Sequence, residues 1–374
     1  MKIKYLKLRY IRLPLKMAFS QANYRTKQSE SVILELHTQN GITAFGESNP
    51  LGFVNGESPW SVKSDIEFIK HSLLQANFTR LEEIREFITE EIAELIGESS
   101  LCVLEIALLN AFSKETGKSL DQIFETEIPK ILDYTGVIPL GDLSLMRPLL
   151  QKFSFSRVKL KADRNLQLSL ENIQILKQIY GADIDIQLDL DCSWNTADAL
   201  EQIPILIEKG IYQFEQPFET DQDLRMQKLQ RHYGNELIFI ADESIRRYKD
   251  AVRLIKTEAC KGFNLKLSKH GGIFQSLAIY KLAHKYGIRC ELGVYPGETS
   301  LLARAGILLS GLAPAIHSRE GAIAHELLSM DICHASLKPD AKGQIEGHQH
   351  INKLCSKVDT LRLDKYSSSL AHVA

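Results

Sequence analysis

The sequence predicts an α/β protein, a parallel (β/α) barrel preceded by a smaller α+β domain. Three observations carry this. From about residue 126, short apolar runs alternate with helically periodic stretches, at a repeat of about 25 residues, the size of one barrel unit. Before that point, runs of period two come first and helical runs follow, the order of an α+β domain. Five charged residues, Lys161, Asp189, Glu215, Asp242 and Lys266, sit at or near the ends of successive strand-like runs, with gaps of 28, 26, 27 and 24 residues.

Taken in order, residues 3–12 alternate as a strand, and 31–37 and 42–47 read as two more. Asn40-Gly41 lies between the latter two, a strong hairpin signal. Residues 15–28 are polar and aperiodic and are expected to form a long functional loop. Segments 61–74, 80–96 and 99–114 place apolar residues three and four apart, as helices do. Strands of the barrel are predicted at 131–139, 157–162, 185–191, 212–217, 237–244, 262–268, 289–293 and 315–317. Helices are predicted at 165–179, 196–209, 221–232, 249–257, 272–286 and 298–309, with 140–155 as an irregular unit. The expected domains are a capping domain, 1–125, a barrel, 126–335, and a tail, 336–374, too small to bury a core alone and therefore packed back on the cap.

Apolar content of 44% and charged content of 25% are ordinary for a globular protein. A net charge of -2 from 45 basic and 47 acidic side chains gives no reason to expect nucleic acid or an anionic membrane as partner. The N-terminal stretch lacks a signal-peptide pattern, and no apolar run approaches the roughly 18 residues of a membrane span. Cys102, Cys192, Cys260, Cys290, Cys333 and Cys355 are scattered without a CxxC pair, as in a reduced, cytoplasmic protein. The expected partner is a small-molecule carboxylate, and a homo-oligomer is compatible with the sequence.

Strands buried on both faces of a parallel sheet are nearly all apolar, and sites in barrels form at the strands' C-terminal ends. Carboxylates at three successive strand ends, Asp189, Glu215 and Asp242, could converge on one point. They repel one another unless a cation joins them, and an all-oxygen set suits Mg²⁺ or Mn²⁺. A single carboxylate in such a place is more often a solvated or ion-paired residue; the even spacing of three argues against that. Lys159 and Lys161 share a strand face. Crowding there is expected to lower the pKa of at least one of them, making a base. Lys266, four units later, faces them across the barrel, so two lysines on opposite sides of a bound carbon can remove a proton from one face and return it to the other.

The runs V-K-L-K (158–161), L-D-L-D-C-S-W (188–194), F-E-Q-P (214–217), A-D-E-S (241–244) and N-L-K-L-S-K-H-G-G (264–272) together resemble the enolase superfamily, within it the muconate lactonizing enzyme subgroup, over nearly the whole chain. The resemblance implies a modified TIM barrel, (β/α)7β, with an N-terminal α+β capping domain whose residues 15–28 and the region near Phe53 close over the substrate. It implies Mg²⁺ on Asp189, Glu215 and Asp242, with Lys161 and Lys266 as the acid/base pair and Lys159 assisting. The reaction implied is abstraction of the proton α to a carboxylate through an enediolate. Its two outcomes are racemisation or epimerisation of a dipeptide or N-acyl amino acid, and a lyase or cycloisomerase reaction of the o-succinylbenzoate synthase or muconate type. Asp191 stands where relatives often have Asn. Lys269, Glu298 and Arg319 join it as candidates for supporting or substrate contacts. The segment His317-Ser-Arg-Glu-Gly321 lacks the Asp-x-Asp pair of dipeptide epimerases; Arg319 would suit an anionic acyl group if it faced the site, though an arginine there is more often a surface residue.

Overall fold

The computed structural model describes residues 1–22, 24–321, 327–348 and 358–373. Cys355 lies outside them. The N-terminal part is an antiparallel sheet in the order β14-β1-β2-β3, built from β1 (Ile3–Gln21), β2 (Tyr24–Thr38), β3 (Thr43–Ser48) and the C-terminal β14 (Ser367–Val373). Leu6 and Leu8 on β1 and Val32, Leu34 and Leu36 on β2 share one face and are fully buried, as period-two alternation dictates; Ile11 and Leu13 are buried on the other face. Gly41 takes φ +84 in the β2–β3 turn, a conformation open to glycine at little cost.

Helices α1 (Pro59–Gln75) and α2 (Glu98–Thr116) pack on this sheet. The contact is close: a Cβ on Gly46 of β3 would lie 2.0 Å from the Val103 carbonyl of α2. The predicted helix 80–96 instead runs helically only from Leu81 to Glu86 and continues as a π turn, Phe87–Glu91. The expected loop at 15–28 is also corrected. Apart from the turn, it is strand, the outer half of a long β1–β2 hairpin. Its polar sequence hid this because contacts distant in the chain hold it. The Pro14 carbonyl accepts from Ser329 N at 3.0 Å, and the Ser20 carbonyl accepts from Leu140 N at 2.8 Å.

The second body is a sheet of eight parallel strands neighbouring one another in chain order: β5 (Gly136–Ile138), β6 (Arg157–Lys161), β7 (Asp185–Asp189), β8 (Gln213–Glu215), β9 (Ile238–Ala241), β10 (Gly262–Leu265), β11 (Arg289–Leu292) and β12 (Ser318–Arg319). A parallel bridge between Thr135 and Glu320 brings the last strand back to the first. Helices α3 (Leu166–Tyr180), α4 (Thr196–Glu208), α5 (Asp223–Tyr233), α6 (Tyr248–Thr257), α7 (Ile273–Lys285) and α8 (Ser300–Leu312) alternate with the strands.

Two expectations fail in detail, and the irregular unit takes a definite form. The strand at 131–139 is two: β4 (Ile131–Asp133) pairs antiparallel with β13 (Gln344–Glu346), and only β5 joins the barrel. Residues 140–155 hold only a 3₁₀ turn at Leu143–Leu145 and one helical turn at Arg147–Leu150, because Pro148 admits a helix only near its start. The last strand falls at 318–319 rather than 315–317, since His317 N already bonds the Cys290 carbonyl and Glu320 N the Leu292 carbonyl. Among the described residues, no helix is long and apolar enough to cross a membrane.

Candidate active site

The five evenly spaced charges meet at one rim. Lys161, Asp189 and Glu215 are the last residues of β6, β7 and β8; Asp242 and Lys266 directly follow β9 and β10. The parallel register sets Lys161 beside Asp189 and Asp189 beside Glu215. All five side chains are buried.

Lys161 Nζ lies 2.7 Å from Asp189 Oδ2 and donates to Asp191 Oδ1 at 2.6 Å. Asp191 turns out of β7 at φ +42. Burial, then the charge of Asp189, pushes its carboxyl up to about 6. On the other side, Lys266 bonds Asp242 Oδ2. Lys269, fully buried, donates to Asp242 Oδ1 at 2.5 Å and to the carbonyls of Asp242 and Asn264 at 2.8 Å.

The expected lowering of a lysine pKa is reversed here. Burial works in that direction at Lys161, but Asp189 and Asp191 outweigh it; at Lys266 Asp242 does the same, and both ammonium groups are held above the ordinary lysine range. Lys159 is raised too, by Glu215 and Glu320 against burial. Like-charge crowding loses because carboxylates stand closer to each ammonium than another lysine does.

Below this rim lies a layer that the even spacing did not reveal. Lys159 bonds both Glu215 and Glu320 and lies 4.0 Å from Glu291. Gln187 Nε2 donates to Glu215 at 2.5 Å and to Glu291 at 3.0 Å; Asn264 Nδ2 donates to Glu215 at 2.7 Å and to Glu320 at 3.1 Å. Oxygens of Glu215, Glu291 and Glu320 come within 4.8 Å of one another. With the Lys159 ammonium among them, this trio is an ion-paired floor rather than a cation cage. A carboxylate inside the short strand Arg-Cys-Glu-Leu at 289–292 was the available signal for Glu291.

The rim carboxylates are a buried, all-oxygen donor set, the chemistry a hard cation takes. Burial, then the charge of Asp189, pushes the Glu215 carboxyl well above its usual range, with Asp242 adding to the rise and Lys159 opposing it. Asp189, by contrast, is held below its usual range: burial and Asp242 oppose its charge, but Lys161 and Lys159 outweigh them. Asp189 and Asp242 both press on the Glu215 charge, a cost that a divalent cation beside the three would relieve.

Above the rim is a chamber. Its polar side is Lys161, Asp191, Glu243, Lys266 and Glu320. Its apolar wall comes from Phe19, Leu51, Phe53 and Val54 of the N-terminal part, Val294, Tyr295 and Pro296 after β11, and Leu327. Glu298 supports this wall from behind: its Oε1 accepts from Tyr295 N at 2.8 Å, and burial pushes its carboxyl up to about 8. Arg319 does not face the chamber. Its Nε donates to Ser310 Oγ of α8 at 2.9 Å. Glu320, by contrast, reaches the interior to Lys159.

The family described as enolase C-terminal domain-like matches residues 144–344. The chain is 27% identical over 305 residues to a hydrophobic dipeptide epimerase of Enterococcus faecalis, covering 80% of this chain and 84% of that protein. It is 27% identical over 315 residues to an N-succinyl-L-Arg/Lys racemase of Bacillus cereus, covering 82% and 83%. The crystal structure of a dipeptide epimerase from Enterococcus faecalis complexed with Mg and the dipeptide L-Leu-L-Tyr superposes with a TM-score of 0.82 at 22% identity, covering 92% of this chain and 97% of that one.

Proposed function

The chain belongs to the enolase C-terminal domain-like family, and from that premise we propose that it is a racemase or epimerase of a dipeptide or N-acyl amino acid with an apolar side chain. In this reading, Lys161 and Lys266 exchange the proton α to the substrate carboxylate. The observation that carries it is the pair of lysines, from strands four units apart, both bordering one chamber and flanking the carboxylate rim. A 1,1-proton transfer needs one proton carrier on each face of the reacting carbon, and this arrangement provides it.

Asp189, Glu215 and Asp242 would hold Mg²⁺, or Mn²⁺ in its place. The donor set and the Mg-bound dipeptide epimerase of like fold support this. The cation supplies positive charge beside the substrate carboxylate, where loss of the α proton places a second negative charge. The protein's own residues do the rest. Lys161 takes or returns a proton on one face, and Lys266 does so on the other. Asp191 and Lys269 orient Lys161 and Asp242. The lysine held by the ion-paired floor, Lys159, balances the charge of Glu215 and Glu320. The apolar wall excludes water and receives the side chain.

That wall, and the relative named for hydrophobic dipeptides, support an apolar substituent. With Arg319 turned to the helical layer, the case for an anionic acyl group no longer stands. Incubation in D₂O with Mg²⁺ and a library of dipeptides and N-acyl amino acids tests the proposal: exchange at the α carbon with inversion is expected. Ring closure or net loss of water in place of inversion would move the protein to the lyase or cycloisomerase class.

A further inference from the structure

Two buried polar atoms at the chamber have no hydrogen-bond partner among the described residues: the hydroxyl of Tyr295 and Oε2 of Glu243. Both residues border the chamber together with Lys161 and Lys266. Tyr295 is only 4% exposed, and its ring lies 5.2 Å from Lys266 Nζ. Looseness does not explain its unpartnered hydroxyl. Tyr295 N is fixed to Glu298, the Gly297 carbonyl accepts from Ser29 Oγ at 2.5 Å, and Thr299 N donates to Glu47 at 3.0 Å. The segment 295–299 is thus clamped to the N-terminal sheet and presents the hydroxyl rigidly. Buried polar atoms left alone are costly and rare, so a bound molecule that satisfies both gains twice.

The Tyr295 hydroxyl can donate, and Glu243 Oε2 can accept. The group that answers both is a secondary amide, whose carbonyl and N–H point in opposite directions. In a dipeptide or N-acyl amino acid, that amide is joined directly to the carbon on which the two lysines act. We propose that Tyr295 and Glu243 read this amide: the Tyr295 hydroxyl donates to the acyl carbonyl oxygen, and Glu243 Oε2 accepts the amide N–H. This rests on the acyl-amino-acid reading of the site. It makes the pair specificity determinants, because a carboxylate substrate without an amide leaves buried groups unpaired.

The test compares L-alanyl-L-leucine and N-acetyl-L-leucine with their ester counterparts, in which oxygen replaces the N–H, by α-proton exchange in D₂O with Mg²⁺. The wild-type protein is expected to favour the amide by about tenfold or more in kcat/KM, the effect of one unpaired buried group. Tyr295→Phe, which keeps the ring over Lys266, is expected to lower kcat/KM for amide and ester alike by a similar factor and to preserve their ratio. Glu243→Gln is expected to bring the ratio close to one. Equal turnover of ester and amide by the wild-type protein overturns the role of Glu243 without any variant having to fold. A Tyr295→Phe protein as active as wild type overturns the role of Tyr295. If the wild-type protein exchanges neither amide, the acyl-amino-acid reading itself falls.

Discussion

Lys161 and Lys266 are held by different partners, Asp189 and Asp191 on one side and Asp242 on the other, so each can be removed separately. Lys161→Ala is expected to abolish exchange starting from one enantiomer and Lys266→Ala from the other. Each should lower racemisation by about 10²–10⁴-fold, the range of a lost general acid–base. Following solvent deuterium into each enantiomer by NMR or mass spectrometry checks this. If both variants still exchange both enantiomers, the two-lysine mechanism is wrong. Treatment with EDTA is expected to abolish exchange and added Mg²⁺ to restore it; full activity without metal would remove the role given to Asp189, Glu215 and Asp242. At this scale the sequence was informative where chemistry repeats. Charges at five successive strand ends stand out because buried parallel strands are otherwise apolar. Glu320 and Tyr295 were not legible as site residues. Each lies alone in a short segment outside that repeat, and β12 spans only Ser318 and Arg319, too short a strand to set which residue faces inward.

Helices α7 and α8 begin under carboxylates supplied by the other body of the fold. Glu105 of α2 accepts from Ile273 N at 2.6 Å and Phe274 N at 3.3 Å. Glu47 of β3 accepts from Thr299 N at 3.0 Å and Leu302 N at 3.1 Å. Helix N-termini leave amide groups unpaired, and here carboxylates about 170 or more residues away cap them, alone at α7, which follows Gly272, and beside the local cap Thr299 at α8. Helical periodicity made α7 and α8 legible, but nothing local announces such a cap, and that is why their joining to the N-terminal body was not. The arrangement has a pH consequence. Burial outweighs the two amide hydrogen bonds and raises the Glu105 carboxyl from 4.5 to about 8. Between those values the folded protein keeps a proton that the unfolded chain has lost, so stability is full below about pH 4.5 and falls as pH rises toward 8. Thermal unfolding from about pH 5 to 8 is expected to show a steeper fall in Tm for the wild-type protein than for Glu105→Gln, whose side chain keeps an acceptor and has no charge to bury. Parallel curves would show that Glu105 does not titrate in this window.

The two bodies are built through each other. The N-terminal sheet takes its edge strand from the other end of the chain: β14 pairs with β1 from Leu6 opposite Val373 to Ile11 opposite Ser367. The same β1 runs on to Phe19 and Gln21, which line the chamber. A polar, weakly periodic tail does not reveal its partner in sequence, since the pairing spans more than 350 residues and local pattern carries no trace of it. Truncation after Tyr366 is therefore expected to do more than shorten a tail. It strips the hydrogen-bonded ladder from β1, and at about 0.5–1.5 kcal/mol for each bond lost the protein should lose several kcal/mol of stability. It also bares an edge next to buried Leu6, Leu8 and Ile11, and an exposed edge strand pairs readily with another chain. Thermal unfolding should show a lower Tm, and sedimentation should show species heavier than those of the full chain. The residual exchange activity per folded molecule distinguishes two consequences. If β1 holds its place through β2 alone, the chamber keeps Phe19 and Gln21 and turnover survives at low temperature. If the edge strand is what keeps the long hairpin straight, turnover falls along with stability, and KM rises first, because the hairpin's outer half contributes wall rather than proton carriers.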